Sequence, residues 1–158
     1  MKGSYLLILL LDADVKDLPI GRLGRFSFPV GYYLYVGSAH GSGGLPARLA
    51  YHQQRIKAHP HWHVDYLRPH VQIVEIWSVG CDAHLECSWV RALGDAPELS
   101  FPIRKFGSRD NGCYSHLVYA AKRPSAHLLT TTLLNCLGLD VLQQPDFTLD
   151  ISVYENGV

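Results

Sequence analysis

The chain has 158 residues, 47% of them hydrophobic, enough for one buried core and a single domain. Its 14 basic and 14 acidic residues cancel, so no global field draws it onto a polyanion or an anionic membrane, and a site for such a partner has to be local. Cys81, Cys87, Cys113 and Cys136 fit no CxxC zinc half-site and follow no secretory leader, and no apolar run is long enough to span a bilayer, so a reduced, cytoplasmic protein is expected.

The run Tyr5 to Leu11 (YLLILLL) predicts a buried strand, and the Asp12, Asp14 and Lys16 that follow it argue against a signal sequence. Gly and Pro punctuate residues 12–30, within which the alternating Gly24 to Phe28 predicts a short extra strand. Tyr32 to Val36 predicts the next strand. A glycine-rich loop, His40 to Pro46, leads into a helix over Pro46 to Lys57 with the proline in its first turn. On that helix Leu45, Leu49 and Ile56 supply the apolar positions, whereas Arg48, His52 and Arg55 share a second, cationic face.

His59 to His70 predicts a short helix that ends before Pro69 and is anchored by Trp62 and Tyr66; a strand follows over Val71 to Val79. Asp82 is expected to cap a helix over Ala83 to Leu93, with Leu85 and Trp89 buried and Gly94 as its stop. Phe101 to Arg104 predicts a strand, residues 107–116 a turn region, and Leu117 to Ala121 another strand. After Pro124 come a helix over Ala126 to Leu137 and a strand over Thr148 to Tyr154, expected to close a sheet edge or to form a homodimer contact.

A strand ending in Tyr35-Val-Gly-Ser38, a glycine-rich loop and a helix presenting Arg48 and His52 one turn apart would gather phenol, guanidinium and imidazole in one place. That combination suits a phosphodiester, because the arginine fork matches phosphate oxygens and offsets charge that grows in the transition state. Glu86 on the next helix would supply a hard oxygen for Mg²⁺. Tyr33, on the same face as Tyr35, together with Ser38 and Arg55, are secondary candidates. Asp110, Cys113, Ser115 and His116 form a further polar cluster near a turn. Structural readings stand beside these: the tyrosines suit strand packing, Arg48 and His52 a solvated helix face, and Glu86 a helix start. His59, His61, His63 and His70 fit no zinc spacing.

Gly3-Ser-Tyr5, Tyr35-Val-Gly37, Arg48-Leu-Ala-Tyr-His52 and Leu85-Glu86 resemble the ordered motifs of the GIY-YIG nuclease superfamily. Gly31 to Ala39, His61-Trp-His-Val-Asp-Tyr-Leu67 and Phe106 to Leu117 further resemble its subfamily known as domain of unknown function 123, sometimes fused to archaeal endonuclease III. The resemblance implies a small α/β fold with a three-stranded antiparallel central sheet flanked by helices. It covers residues 1–122, leaving 123–158 as a C-terminal extension packed on the same domain. It also implies DNA as the partner and a divalent-metal-dependent endonuclease activity using one Mg²⁺ or Mn²⁺. In that activity Tyr5 and Tyr35 would handle the attacking water, Arg48 would brace the phosphate with His52 one turn away, and Glu86 would bind the metal. All four motifs would converge on one concave surface. Ser4 stands where the family has an apolar residue, and the long interval from Tyr5 to Tyr35 implies an extra hairpin. The alternative is a catalytically inactive relative that binds nucleic acid or protein through the same pocket.

Overall fold

The computed structural model describes residues 1–109 and 111–158; the candidate Asp110 lies outside the described residues. Strand β1 (Gly3–Leu11) is buried almost throughout, as a near-continuous apolar run requires of a central strand. It pairs antiparallel with β4 (Gly31–Ser38) on one side and β5 (Gln72–Gly80) on the other, so that Tyr5 faces Gly37 and Ser78. Between β1 and β4 the chain forms a separate hairpin, β2 (Val15–Ile20) with β3 (Gly24–Phe28), which is the extra hairpin that the long interval implies.

The central sheet has six strands, not the expected three, in the order β6-β7-β4-β1-β5-β8. The widening comes from pairings between distant parts of the chain. β7 (Leu117–Ala120) adds to β4, β6 (Leu99–Ser100) adds to β7, and β8 (Thr148–Val153) adds to β5. β8 therefore closes the edge of β5 and becomes an edge itself, with Leu149, Ile151 and Val153 exposed.

Alternation along β1 divides the core into two layers. Leu6 and Ile8 pack with Leu85, Trp89, Val90 and Leu93 of the α3 region and with Leu129 and Leu133 of α4. Helix α3 spans Glu86–Gly94 and α4 Ala126–Asn135; a short α5 (Leu139–Leu142), absent from the sequence reading, follows. Tyr5, Leu7, Leu9 and Leu11 face the other way, onto Leu45, Val64, Leu67 and the hairpin residues Ile20 and Phe28. That layer contains α1 (Gly44–Gln53) and α2 (His63–Leu67), the latter running into a 3-10 turn at Arg68–His70.

Several boundaries differ from expectation for local reasons. α1 stops at Gln53 rather than Lys57, because Arg68 takes over its terminal carbonyls: Nε donates to His52 O at 2.8 Å and an η nitrogen to Gln53 O at 3.3 Å. α3 begins at Glu86 instead of Ala83. Asp82 does not cap it; its backbone N–H donates to the Gln144 side chain, and the Leu85 N–H donates to Ser4 Oγ. Phe101 to Arg104 is not a strand, interrupted by Pro102 and followed by Lys105 at φ 65.

Candidate active site

On the α1 face of the sheet, Tyr5 Oη and His52 Nε2 lie 2.7 Å apart, both residues almost fully buried. Tyr5 reaches this place because its cross-strand neighbour is Gly37: the phenol lies over the bare backbone, and a Cβ at 37 would overlap its hydroxyl. His52 reaches it because α1 ends there, its carbonyl held by the buried Arg68. Burial, opposed by Asp65 and reinforced by Lys57, Arg48 and Arg68, pushes His52 down to about 3, so its imidazole is neutral. Nδ1 is buried without a partner. A buried N–H left unpaired is rarer than an unpaired acceptor, so the ring proton belongs on Nε2, which donates it to Tyr5 Oη.

Arg48, half-buried one helical turn before His52, opposes without reversing the shift by which burial and then Tyr35 hold the Tyr5 hydroxyl well above its ordinary value. Its guanidinium lies 4.0 Å from the centre of the Trp62 ring, so a residue expected only to anchor α2 also aims the arginine. The buried Asp65 organises this corner. Its Oδ2 accepts from the backbone N–H groups of His61 and Trp62 and from Tyr51 Oη at 2.8 Å, and Lys57 Nζ stands 3.8 Å from Oδ1. Tyr35 packs its ring 5.9 Å from that of His52, and burial raises its hydroxyl pKa well above the ordinary value. Gly107, at φ 71, lets the 106–108 turn approach the Tyr35 ring, and its N–H donates to His63 Nδ1 at 2.8 Å. A cleft of about 380 Å³ opens beside Trp62, lined also by His61, His63, Gly107 and Arg109.

Glu86 stands on the other face. Ser4, adjacent to Tyr5 but pointing the opposite way, donates from Oγ to Glu86 Oε2 at 3.4 Å. The serine that departs from the family pattern is thus the contact that joins α3 to the end of β1. Tyr5, Tyr35, Arg48 and His52 are brought together as one group, whereas Glu86 lies behind β1 on the other face, so the expected convergence of all four motifs on one surface holds for three of them.

The secondary candidates disperse. Tyr33 Oη donates to Pro29 O at 2.6 Å, toward the hairpin side of the sheet, and Ser38 is paired with Ser4 across the strands. Arg55 lies beyond α1 and donates from Nε to Pro69 O at 3.1 Å, so the cationic face ends at His52. His116 is buried on the Glu86 side, its Nε2 3.2 Å from Asn111 Nδ2. Cys87 and Cys113 form a disulfide with their Cα atoms 5.5 Å apart, which corrects the expectation of a fully reduced chain; Cys81 and Cys136 are free thiols. Neither the pairing nor the roles of Trp62 and Asp65 follow from motif spacing, since each depends on segments far apart in the chain.

The fold and site define a small α/β protein in which an antiparallel sheet carries a buried tyrosine, histidine and arginine cluster on one face and a buried carboxylate on the other. The chain belongs to the family described as Domain of unknown function DUF123, which matches residues 4–138. No curated protein matches it, and no solved structure does. Among the described residues no helix is long and apolar enough to cross a membrane.

Proposed function

We propose that the protein is a divalent-metal-dependent endonuclease of the GIY-YIG type, which hydrolyses phosphodiester bonds in DNA. One observation carries this reading: the Tyr5 hydroxyl, fixed over Gly37, is hydrogen-bonded to His52 and lies within the field of the Arg48 guanidinium. A hydrogen-bond donor and a nearby guanidinium both favour the phenolate, the form that can take a proton from water. Burial still holds the Tyr5 hydroxyl well above the ordinary phenol value, so it would serve as a base only when a bound ion adds positive charge beside it. Arg48, stacked on Trp62, would also place its remaining N–H groups against a phosphate oxygen and offset the charge that develops there. The strand would enter by the cleft of Trp62, His61, His63 and Arg109, where aromatic faces and one guanidinium suit bases and backbone.

A single Mg²⁺ or Mn²⁺ fits Glu86. Its carboxylate is 9% exposed and, among the described residues, its one ion-pair partner is a histidine rather than a lysine or arginine. When bound, such an ion supplies Lewis-acid charge for the scissile phosphate and a more acidic water. Ser4 would orient the carboxylate, and the tyrosine cluster would hold the phosphate and move the proton. The test is nicking of supercoiled and branched DNA with each metal, comparing the wild-type chain with Tyr5→Phe and Arg48→Ala. Salt-sensitive binding without cleavage would instead support the inactive-relative reading.

A further inference from the structure

We infer that His40, His84 and Glu86 form a three-ligand transition-metal site, two imidazole nitrogens and one carboxylate oxygen, where the β4–α1 and β5–α3 connections meet. Its catalytic meaning rests on the endonuclease reading; its existence as a metal site does not.

The three ligand atoms lie within 4.8 Å of one another, and His84 Nδ1 is 3.8 Å from Glu86 Oε1. Bonds of about 2.1 Å in a tetrahedral shell place neighbouring ligand atoms roughly 3.4 Å apart, so only a small closure is needed. His84 can provide it, being 72% exposed at the end of a loop. His40 is the informative member. Its Nε2 is buried with no partner, and its ring lies against the Ala83 backbone. An orphaned buried imidazole nitrogen is what a metal ligand leaves behind when the ion is absent, the second nitrogen being free to be oriented by a backbone group.

The two rings stack with centroids 3.9 Å apart and 35° between planes, which brings both imidazoles to the same point. Ser4 Oγ holds the second Glu86 oxygen, so the carboxylate is already oriented. The donor set decides the metal class. Mg²⁺ prefers oxygen ligands and waters, whereas two imidazoles favour Mn²⁺, Co²⁺ or Zn²⁺, with affinity rising along that series. Three protein ligands leave a position open for water or a phosphate oxygen. The nearby cluster of Cys87, Cys113 and His116 offers no such set, because its two sulfurs are bonded to each other.

The experiment is titration of the full chain with Co²⁺, without DNA, followed by calorimetry and visible absorption, with Mg²⁺ as competitor. The site predicts one Co²⁺ per chain with a ligand-field band that a large excess of Mg²⁺ does not remove. His84→Ala and His40→Ala should each weaken binding by at least about tenfold, while His70→Ala, on an exposed residue, should not. His84 is so exposed that its replacement leaves the fold intact, which keeps the result interpretable if His40→Ala unfolds. Unchanged Co²⁺ affinity in His84→Ala, or easy displacement by Mg²⁺, would overturn the site. A chain that binds Co²⁺ through these histidines but leaves DNA whole would support the site and count against the endonuclease alone.

Discussion

The Tyr5 hydroxyl lies over the backbone of Gly37, its partner across strands β1 and β4, so that position 37 has no room for a side chain. The tyrosine of one strand and the glycine of the next therefore act as a single unit, although the β2–β3 hairpin lies between them in the sequence.

Gly37→Ala should displace the phenol from His52 and Arg48. The expected outcome is a stability loss of about 1–3 kcal/mol by chemical denaturation, together with loss of cleavage as severe as that of Tyr5→Phe. A stable, active Gly37→Ala protein would show that the phenol does not need this seat.

Removing the Tyr5 hydroxyl leaves a buried His52 N–H without its acceptor. Tyr5→Phe should therefore cost about 1–3 kcal/mol in denaturant unfolding and lower the cleavage rate by roughly 10²–10⁴-fold.

His52 also sets a pH dependence of stability. Its folded value, about 3, lies below the ordinary histidine value of about 6.5, so the unfolded chain takes up the proton first as pH falls. Its contribution is complete above about pH 6.5 and is lost toward pH 3, at up to roughly 1.4 kcal/mol per pH unit. His40 and His116, both shifted down by burial, act in the same direction. Unfolding free energies measured from pH 7 to pH 4 should fall less steeply in His52→Gln than in the wild-type chain.

Arg48→Lys should behave as a loss rather than a conservative change. Lysine keeps the charge but not the fork, nor the planar contact at 4.0 Å with Trp62. Steady-state cleavage is expected to drop by about 10²-fold, and by about fivefold in Trp62→Leu, which retains the arginine but loses about 1 kcal/mol of stacking.

The Cys87–Cys113 bridge closes a loop across a sequence separation of 26, worth about 3 kcal/mol on the chain-entropy account. Thermal unfolding with and without a reductant should show a lower midpoint in the reduced chain, and a Cys113→Ser variant should match the reduced wild type.

The strands with strong local signals were legible in the sequence. The YLLILLL run needs burial on both faces and became the sheet centre, and the alternating Gly24 to Phe28 is a strand with those bounds. The grouping of Tyr5, Tyr35, Arg48 and His52 was also legible, because two strands and one helix carry them in a fixed order. Other features depend on partners far along the chain. α1 stops where Arg68 meets its carbonyls, 15 and 16 residues on, and β8 pairs with β5 after three intervening helices. Ser4 was visible only as a departure from a pattern; its bond to Glu86 spans 82 positions and appears only once α3 is docked. Asp65 carries no signal of its own in the sequence, because its burial beneath Tyr51 and Lys57 depends on how α2 closes over α1.

The central claim, phosphodiester hydrolysis at the Tyr5, His52 and Arg48 cluster, is tested most directly by nicking of supercoiled DNA with Mn²⁺ or Mg²⁺. The wild-type chain is expected to nick, Tyr5→Phe and Arg48→Ala to lose at least about 10²-fold of that activity, and Glu86→Gln to lose its metal dependence along with its activity. Nicking that persists undiminished in both Tyr5→Phe and Arg48→Ala, or a folded, metal-replete wild-type chain that never nicks, would contradict it.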